Sequence, residues 1–478
     1  MNSKLVIRKI EFAVLLLMTV FMSASCGKDK GIDDKYLSYE HCYGNVTESA
    51  ESGLDEEGFY ATDDYVYICT EDAVILSAAS DDAVTEVETS YAMELHRNGY
   101  NDNFSRFKIE DTVYYINNNY ITTLALADED EFDYSITALS IVATDGYFYT
   151  YDDCVSDLLA IRDSFSSAVK LNVIGLTEDN RNIYEIVIGN EDAENSILLV
   201  GGMEGLEYMT SEYAVKTAEY YAYYYTEGIY HGYTYADVLK NCCLRIIPMI
   251  NPDGVSISQL GLDGTSSSVI QSNLNSWFER DQSKGGIYST IENYLMFYYS
   301  NANGVDLQYN FPFNWDGAGT SHEPSNAGYK GASAASEPES KAVLAAIERH
   351  MPDVIINLRT SGCTIVADYN TTDNDKARAS ELLTLIAEES GYNSGSATTL
   401  SGSFEGYCGS TYAPTLRINV GNGDAPLSTS EFNSIWNSLR EVPIALCLDV
   451  MGSDYSFQTA LPESGTTTDT STEEATTE

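Results

Sequence analysis

The 478-residue chain reads as an α/β protein, a mixed sheet flanked by helices, with a small all-β barrel ahead of it. Three observations predict this. Between residues 149 and 453, short apolar runs with Gly or Pro at or near their ends ("SILLVGG", "CLRIIPMI", "DVIINL") alternate with helix-length segments. Such runs are strands buried on both faces, and their alternation with helices means one large α/β domain. From residue 63 to 125 the pattern differs: β-branched and aromatic runs are separated by turn formers, and no helical periodicity interrupts them. Finally, 44% of residues are apolar, the ordinary share for a globular chain.

The N-terminus opens with Lys4, Arg8 and Lys9, then the apolar run Phe12 to Met22, then "SAS" and Cys26. Charged, greasy, then small is the order of a secretory signal, and the run is short for a membrane span. A cysteine directly after the small residues resembles a bacterial lipoprotein signal, although Ser23 stands where Leu is usual. The resemblance implies a signal peptide over 1–25 and a lipid on Cys26. It also implies a chain held on the extracellular face of a bacterial membrane. Plain secretion, with Cys26 an incidental thiol, is the other reading. Residues 26–62 are polar and acidic, as in a flexible spacer, and 454–478 form a Thr/Glu tail expected to be disordered. The net charge of −48 excludes a nucleic-acid partner, because such a chain repels phosphate backbones.

In the β-rich region, "DYVYICTEDAVILSAAS" and "DTVYYINNNYITTL" are the strand-forming runs, and Asn101-Asp102-Asn103 reads as a turn. The order resembles the bacterial Src-homology-3-type domain, with Phe104 where Trp is usual. That implies either a grip on peptidoglycan or protein partners, or a structural spacer. A linker over 126–148 follows.

The large domain begins with "VSDLLAIRDSF", apolar at helical spacing, and "SEYAVKTAEYYAYYY" is a second helix. Ser336 with Glu339 three places on, and Pro338 between, reads as a capping box; Ser428 with Glu431 repeats the pattern. The tyrosines between Tyr220 and Tyr225 read as packing and surface rather than as a ligand box. No CxxC pair occurs among the nine cysteines, so neither a zinc ribbon nor a thioredoxin-like motif is present. Adjacent Cys242 and Cys243 face opposite sides if they lie on a strand.

Eight segments in order resemble the zinc carboxypeptidase family, in particular its bacterial branch with wall-peptide endopeptidases. They are "YTYDDCVSDLLAI", "IGLTEDNRNIYEIVIG", "LLVGGMEGLEYMTSE", "IIPMINPDGV", "NANGVDLQYNFPFNW", "YKGASAASEPESKAV", "VIINLRTSG" and "APTLRINVG". The resemblance implies the family's fold and its chemistry. That chemistry needs a zinc ion on two imidazoles and one carboxylate, a glutamate base, and an arginine for the substrate's carboxylate.

Carried over residue by residue, the pattern departs at the chemical positions. The HxxE motif falls on Glu204 and Glu207, so the carboxylate ligand is kept and the histidine is not. The second histidine position is Arg359. The Asn-Arg pair that binds the substrate carboxylate is Gln308-Tyr309, and the catalytic glutamate is Asn419. Arginine cannot ligate zinc and asparagine cannot act as the base. If the fold keeps its geometry, Arg359 points at both glutamates, and a salt bridge takes the place of the metal. No cofactor is therefore expected, whereas zinc is the family's. His322 and Arg280 are the nearest stand-ins for a lost ligand and a lost arginine. Three readings follow: a catalytically degenerate binder of a peptide or peptidoglycan fragment, an active metallopeptidase using Glu204 and Glu207 with His322, and a purely structural surface protein.

Overall fold

The computed structural model describes residues 53–452, apart from 71–72, 86, 88, 110–111, 125, 127–138, 145–147, 368–371 and 397–400. The signal peptide, Cys26, most of the 26–62 spacer and the 454–478 tail lie outside the described residues.

The N-terminal unit is a five-stranded antiparallel sheet of β1 (Tyr60–Ile68), β2 (Glu94–Tyr100), β3 (Phe104–Ile109), β4 (Thr112–Asn117) and β5 (Ile121–Thr122), in the order β4-β3-β2-β1-β5. Val66, Ile68, Leu95, Phe107 and Ile116 form its own core. The Asn101 turn stands: its Oδ1 accepts from the amides of Asn103 and Phe104 at the β2–β3 corner. "AVILSAAS" does not become a strand; Leu76 makes only isolated bridges to Val84 and Tyr115. Cys69 is disulfide-bonded, and the other six cysteines among the described residues are free.

The large domain is built on an eight-stranded mixed sheet. Its strands are β6 (Val169–Leu176), β7 (Asn182–Ile188), β8 (Asn195–Val200), β11 (Cys242–Ile247), β12 (Val354–Thr360), β13 (Thr364–Val366), β14 (Asn393–Ser394) and β15 (Thr415–Val420). A small hairpin, β9 (Ile229–Tyr230) and β10 (Tyr233–Thr234), lies outside it. The order is β14-β13-β15-β12-β8-β11-β7-β6. The three apolar runs singled out above are β8, β11 and β12. These three and β15 run parallel to one another, so their carboxyl ends share one edge of the sheet. Open α/β sheets place ligands at such an edge.

Helices cover both faces. Tyr151–Ser164 starts at Thr150, which forms a true capping box with Asp153. Tyr208–Tyr223 is buried along almost its whole length. Its tyrosines pack as expected: Tyr220 meets Trp436 edge-on at 5.3 Å, and the hydroxyls of Tyr213 and Tyr221 donate to the carbonyls of Leu439 and Arg440. The two expected capping boxes are not formed. Helix Pro338–His350 is capped at Glu337 without a side-chain bond, and the buried Glu339 accepts from Asn301 instead. Glu431 accepts from the amides of Asn422 and Gly423, in the loop after β15. In both cases a donor from outside the expected helix start outcompetes the local one.

The two units are fastened together. The Tyr91 hydroxyl donates to the His231 carbonyl at 2.9 Å, and Leu126 bridges to Tyr233. Within the expected linker, the amides of Ile141 and Val142 donate to Glu219, whose carboxylate is paired with buried Lys216 at 2.9 Å.

Candidate functional site

Beyond β8 the chain turns through Gly201 and Gly202 into the segment Met203–Glu207. The turn is pressed against helix Pro252–Leu260: a Cβ on Gly205 would lie 2.4 Å from the Gly254 carbonyl oxygen and 2.6 Å from that of Tyr298. Asn251, the cap of that helix, accepts from the Gly254 amide at 2.9 Å and donates to the carbonyls of Met203 and Ser300. The "NPDG" stretch is thus a bracket that fixes the Glu204–Glu207 turn.

Glu207 stands at the N-terminus of helix Tyr208–Tyr223, yet its carboxylate does not cap that helix. It faces β12 instead. Its Oε1 accepts from the Thr360 amide at 2.9 Å, and its Oε2 from Arg359 Nε at 2.7 Å. Arg359 Nη2 lies 2.6 Å from Glu204 Oε1, and Nη1 donates to Gln308 Oε1 at 3.3 Å. All three charged side chains are buried. One guanidinium therefore holds both carboxylates and reaches the wall of the cleft beyond them.

The cleft is a cavity of about 450 Å³ at the carboxyl edge of the sheet. Glu204, Arg359, Gln308, Tyr309 and Asn419 all line it, so the fold brings the sequence-assigned positions together around one space. Asn419 donates to Thr364 Oγ1 at 2.8 Å. His322 and Arg280 are not among the lining residues. His322 is exposed, and Arg280 pairs with Asp281. Among the described residues, no cluster of three His, Cys, Asp or Glu side chains is arranged to hold a metal ion.

Among the other lining residues, Arg417, Tyr299 and Asp306 carry side chains that could meet a ligand and that the sequence did not single out. Arg417 lies two residues before Asn419 on β15, and side chains two apart on a strand share a face; that spacing was the available signal. Asp306 lies two residues before Gln308 and accepts from the amides of Gly328 and Gln308, which shapes the loop.

The electrostatics are those of a buried acid cluster around one cation. Burial pushes the Glu204 carboxyl well above its usual range. Arg359 opposes this, while Glu207 and Asp306 add to it. Burial likewise lifts Asp306 to about 6. For Arg359, burial works against the charge, but Glu204 and Glu207 outweigh it and hold the guanidinium protonated.

Among known proteins, the chain is 24% identical over 300 residues to the uncharacterized protein YqgT of Bacillus subtilis (strain 168), covering 60% of this chain and 74% of that one. It is 22% identical over 301 residues to gamma-D-glutamyl-L-diamino acid endopeptidase 1 of Lysinibacillus sphaericus, covering 62% and 72%. In fold it is similar to the carboxypeptidase A of Helicoverpa armigera (TM-score 0.50, 16% identity, 66% of this chain and 76% of that one). It is also similar to thrombin activatable fibrinolysis inhibitor (TM-score 0.51, 15% identity, 82% and 99%). The sequence of residues 154–463 matches the family described as zinc carboxypeptidase, and the chain belongs to that family.

Proposed function

We propose that the domain is a non-catalytic member of its family that binds a peptide or cell-wall fragment in the cleft. One observation carries this reading: the Arg359 guanidinium sits between Glu204 and Glu207, at 2.6 and 2.7 Å. The residues present do not fit the family's zinc ion. Zinc needs lone pairs from three side chains and an open position for water. Arg359 offers only N–H donors and stays protonated, and it already engages the facing oxygens of both glutamates. Asn419, at the position of the family's base, carries no carboxylate to accept a proton.

What remains suits binding. Gln308, Tyr309, Arg417 and the unused N–H groups of Arg359 can meet a carboxylate or peptide carbonyls, and Asp306 can meet an ammonium. The relative named for cleaving gamma-D-glutamyl-L-diamino acid bonds supports a wall peptide as the ligand class. In this reading the signal segment over 1–25 and a lipid on Cys26 hold the protein on the outer face of a bacterial membrane. The 26–62 spacer lifts it away, and the sheet unit over 63–125 is a Src-homology-3-type barrel serving as spacer or wall grip.

The test is metal analysis of the dialysed protein together with calorimetry against a gamma-D-glutamyl-diamino-acid muropeptide. Substoichiometric zinc and saturable binding without hydrolysis are expected. Stoichiometric zinc that disappears in Glu207→Ala, with release of a C-terminal residue, overturns the reading.

A further inference from the structure

The cleft around Arg359 is lined almost wholly by polar groups. Among the described residues, its wall carries no aliphatic side chain longer than that of Ala327. Small-ligand pockets are lined mainly by apolar groups with a few polar ones, so this wall departs from the rule. An apolar peptide side chain gains little against it, and the polar groups it covers lose water without gaining a partner.

What the wall offers instead is a set of oriented, uncharged hydrogen-bonding groups. Gln308 Oε1 accepts from Arg359 at 3.3 Å, which leaves Nε2, beside the Tyr309 hydroxyl, as the outward donor. Asn419 Nδ2 donates to Thr364 Oγ1 at 2.8 Å, which leaves Oδ1 as an acceptor. Both side chains are half-buried on the cleft wall, and neither outward atom is sealed from solvent. Arg359 ties the two together: it is bonded to Gln308 and stands in register with Asn419 on the next strand. Tyr299 and Tyr309 add half-buried rings, whose negative faces attract C–H groups. Charge gives no preference for an anion, because the guanidiniums of Arg359 and Arg417 are set among the carboxylates of Glu204, Glu207 and Asp306.

A donor and an acceptor beside aromatic faces, in a polar space without surplus positive charge, match a hydroxylated ring with a secondary amide on it. We propose that the cleft binds an uncharged amino-sugar ring, its acetamido N–H on Asn419 Oδ1, its acetamido carbonyl on Gln308 Nε2, and its C–H face on a tyrosine. The inference rests on the reading of the cleft as a binding site, and narrows the wall fragment to its sugar part.

The test is a calorimetric titration of the full chain with three probes: N,N′-diacetylchitobiose, cellobiose, which has hydroxyls in place of the acetamido groups, and a sugar-free gamma-D-glutamyl-diamino-acid stem peptide. Saturable binding of diacetylchitobiose is expected, tighter than cellobiose by about tenfold, the range of one well-placed hydrogen bond. In Asn419→Leu that ratio falls to about one, and Ala327→Trp, which fills the cleft, abolishes sugar binding; thermal melts show that both variants fold. Binding of the stem peptide without the sugar keeps the cleft as a binding site and overturns this proposal, whereas binding of no probe removes both. Equal affinity for the two sugars also overturns it. So does an acetamido preference that survives in Asn419→Leu, or sugar binding that survives in Ala327→Trp.

Discussion

Arg359 Nε lies 2.7 Å from Glu207 Oε2, a contact that spans 152 residues of sequence and joins the end of β12 to the start of a helix. Both groups are buried, and Glu204 completes the triad. Removing the cation alone strands two buried acids. Arg359→Met is therefore expected to lose about 3–5 kcal/mol of unfolding free energy, the usual cost of breaking a buried pair. Combining it with Glu204→Gln and Glu207→Gln leaves no charge without a partner and keeps an acceptor for the Thr360 amide. The triple variant is expected to be more stable than Arg359→Met alone. Urea denaturation of the two variants and the parent checks the order, and a triple variant that is weaker still refutes it.

A second expectation concerns pH. Glu339 is fully buried, and burial, with Asp253 and Glu337 nearby, lifts its carboxyl to about 8. The folded state thus holds this proton more tightly than the unfolded chain. The stability it contributes is complete below the ordinary glutamate range and is lost as pH rises through about 8. Glu339→Gln keeps the shape and the Asn301 contact without the proton. Its stability relative to the parent should rise with pH by about 1.4 kcal/mol per unit inside that window and level off above it. Parallel stability-pH curves for the two proteins contradict this.

How far the sequence foretold these features depended on the range of the interaction. β8, β11 and β12 were legible because strands buried on both faces have few alternatives to an apolar run. The convergence of Glu204, Glu207 and Arg359 was legible only through the family resemblance, since nothing local brings residue 359 to residue 207. The roles of Glu339 and Glu431 were misread for the same reason. Each matches a local capping pattern, but Asn301 in one case and the Asn422–Gly423 amides in the other take the carboxylate. Arg417 shares a strand face with Asn419 by its two-residue spacing, but that spacing alone does not distinguish a cleft-lining side chain from any other on the strand.

The bracket role of the "NPDG" helix predicts that Gly205 tolerates no side chain. The atoms its Cβ would strike, at 2.4 and 2.6 Å, are backbone oxygens and cannot rotate away. Gly205→Ala is expected to lose about 2 kcal/mol or more by overpacking. Gly317→Ala is the control, since its nearest contact is an ordinary 3.5 Å to Ser401 Oγ, and it should stay within about 0.5 kcal/mol of the parent. Thermal melts compare them directly. Equal losses at the two positions leave the bracket without support.

If a salt bridge occupies the place of the metal, exchanging its members should restore the metal. In Glu204→His with Arg359→His, two imidazoles and Glu207 converge where the guanidinium now lies. Glu207 can keep Oε1 on the Thr360 amide and turn Oε2, now bound by Arg359, to zinc. The double variant is expected to retain about one zinc per chain after dialysis, and a chelator should lower its melting temperature, because metal binding to the folded state adds to stability. The parent should show neither effect. Hydrolysis is a stricter demand. It needs a base, so Asn419→Glu must be added, and even then Gln308 and Tyr309 supply no fixed positive charge at the family's carboxylate-binding position, which leaves that task to Arg417 on the neighbouring wall of the cleft. Cleavage by the triple variant should therefore be slow and limited mainly by weak substrate binding. A double variant that folds, judged by circular dichroism, yet holds no zinc would mean that residues 204, 207 and 359 are not positioned around a metal-sized space.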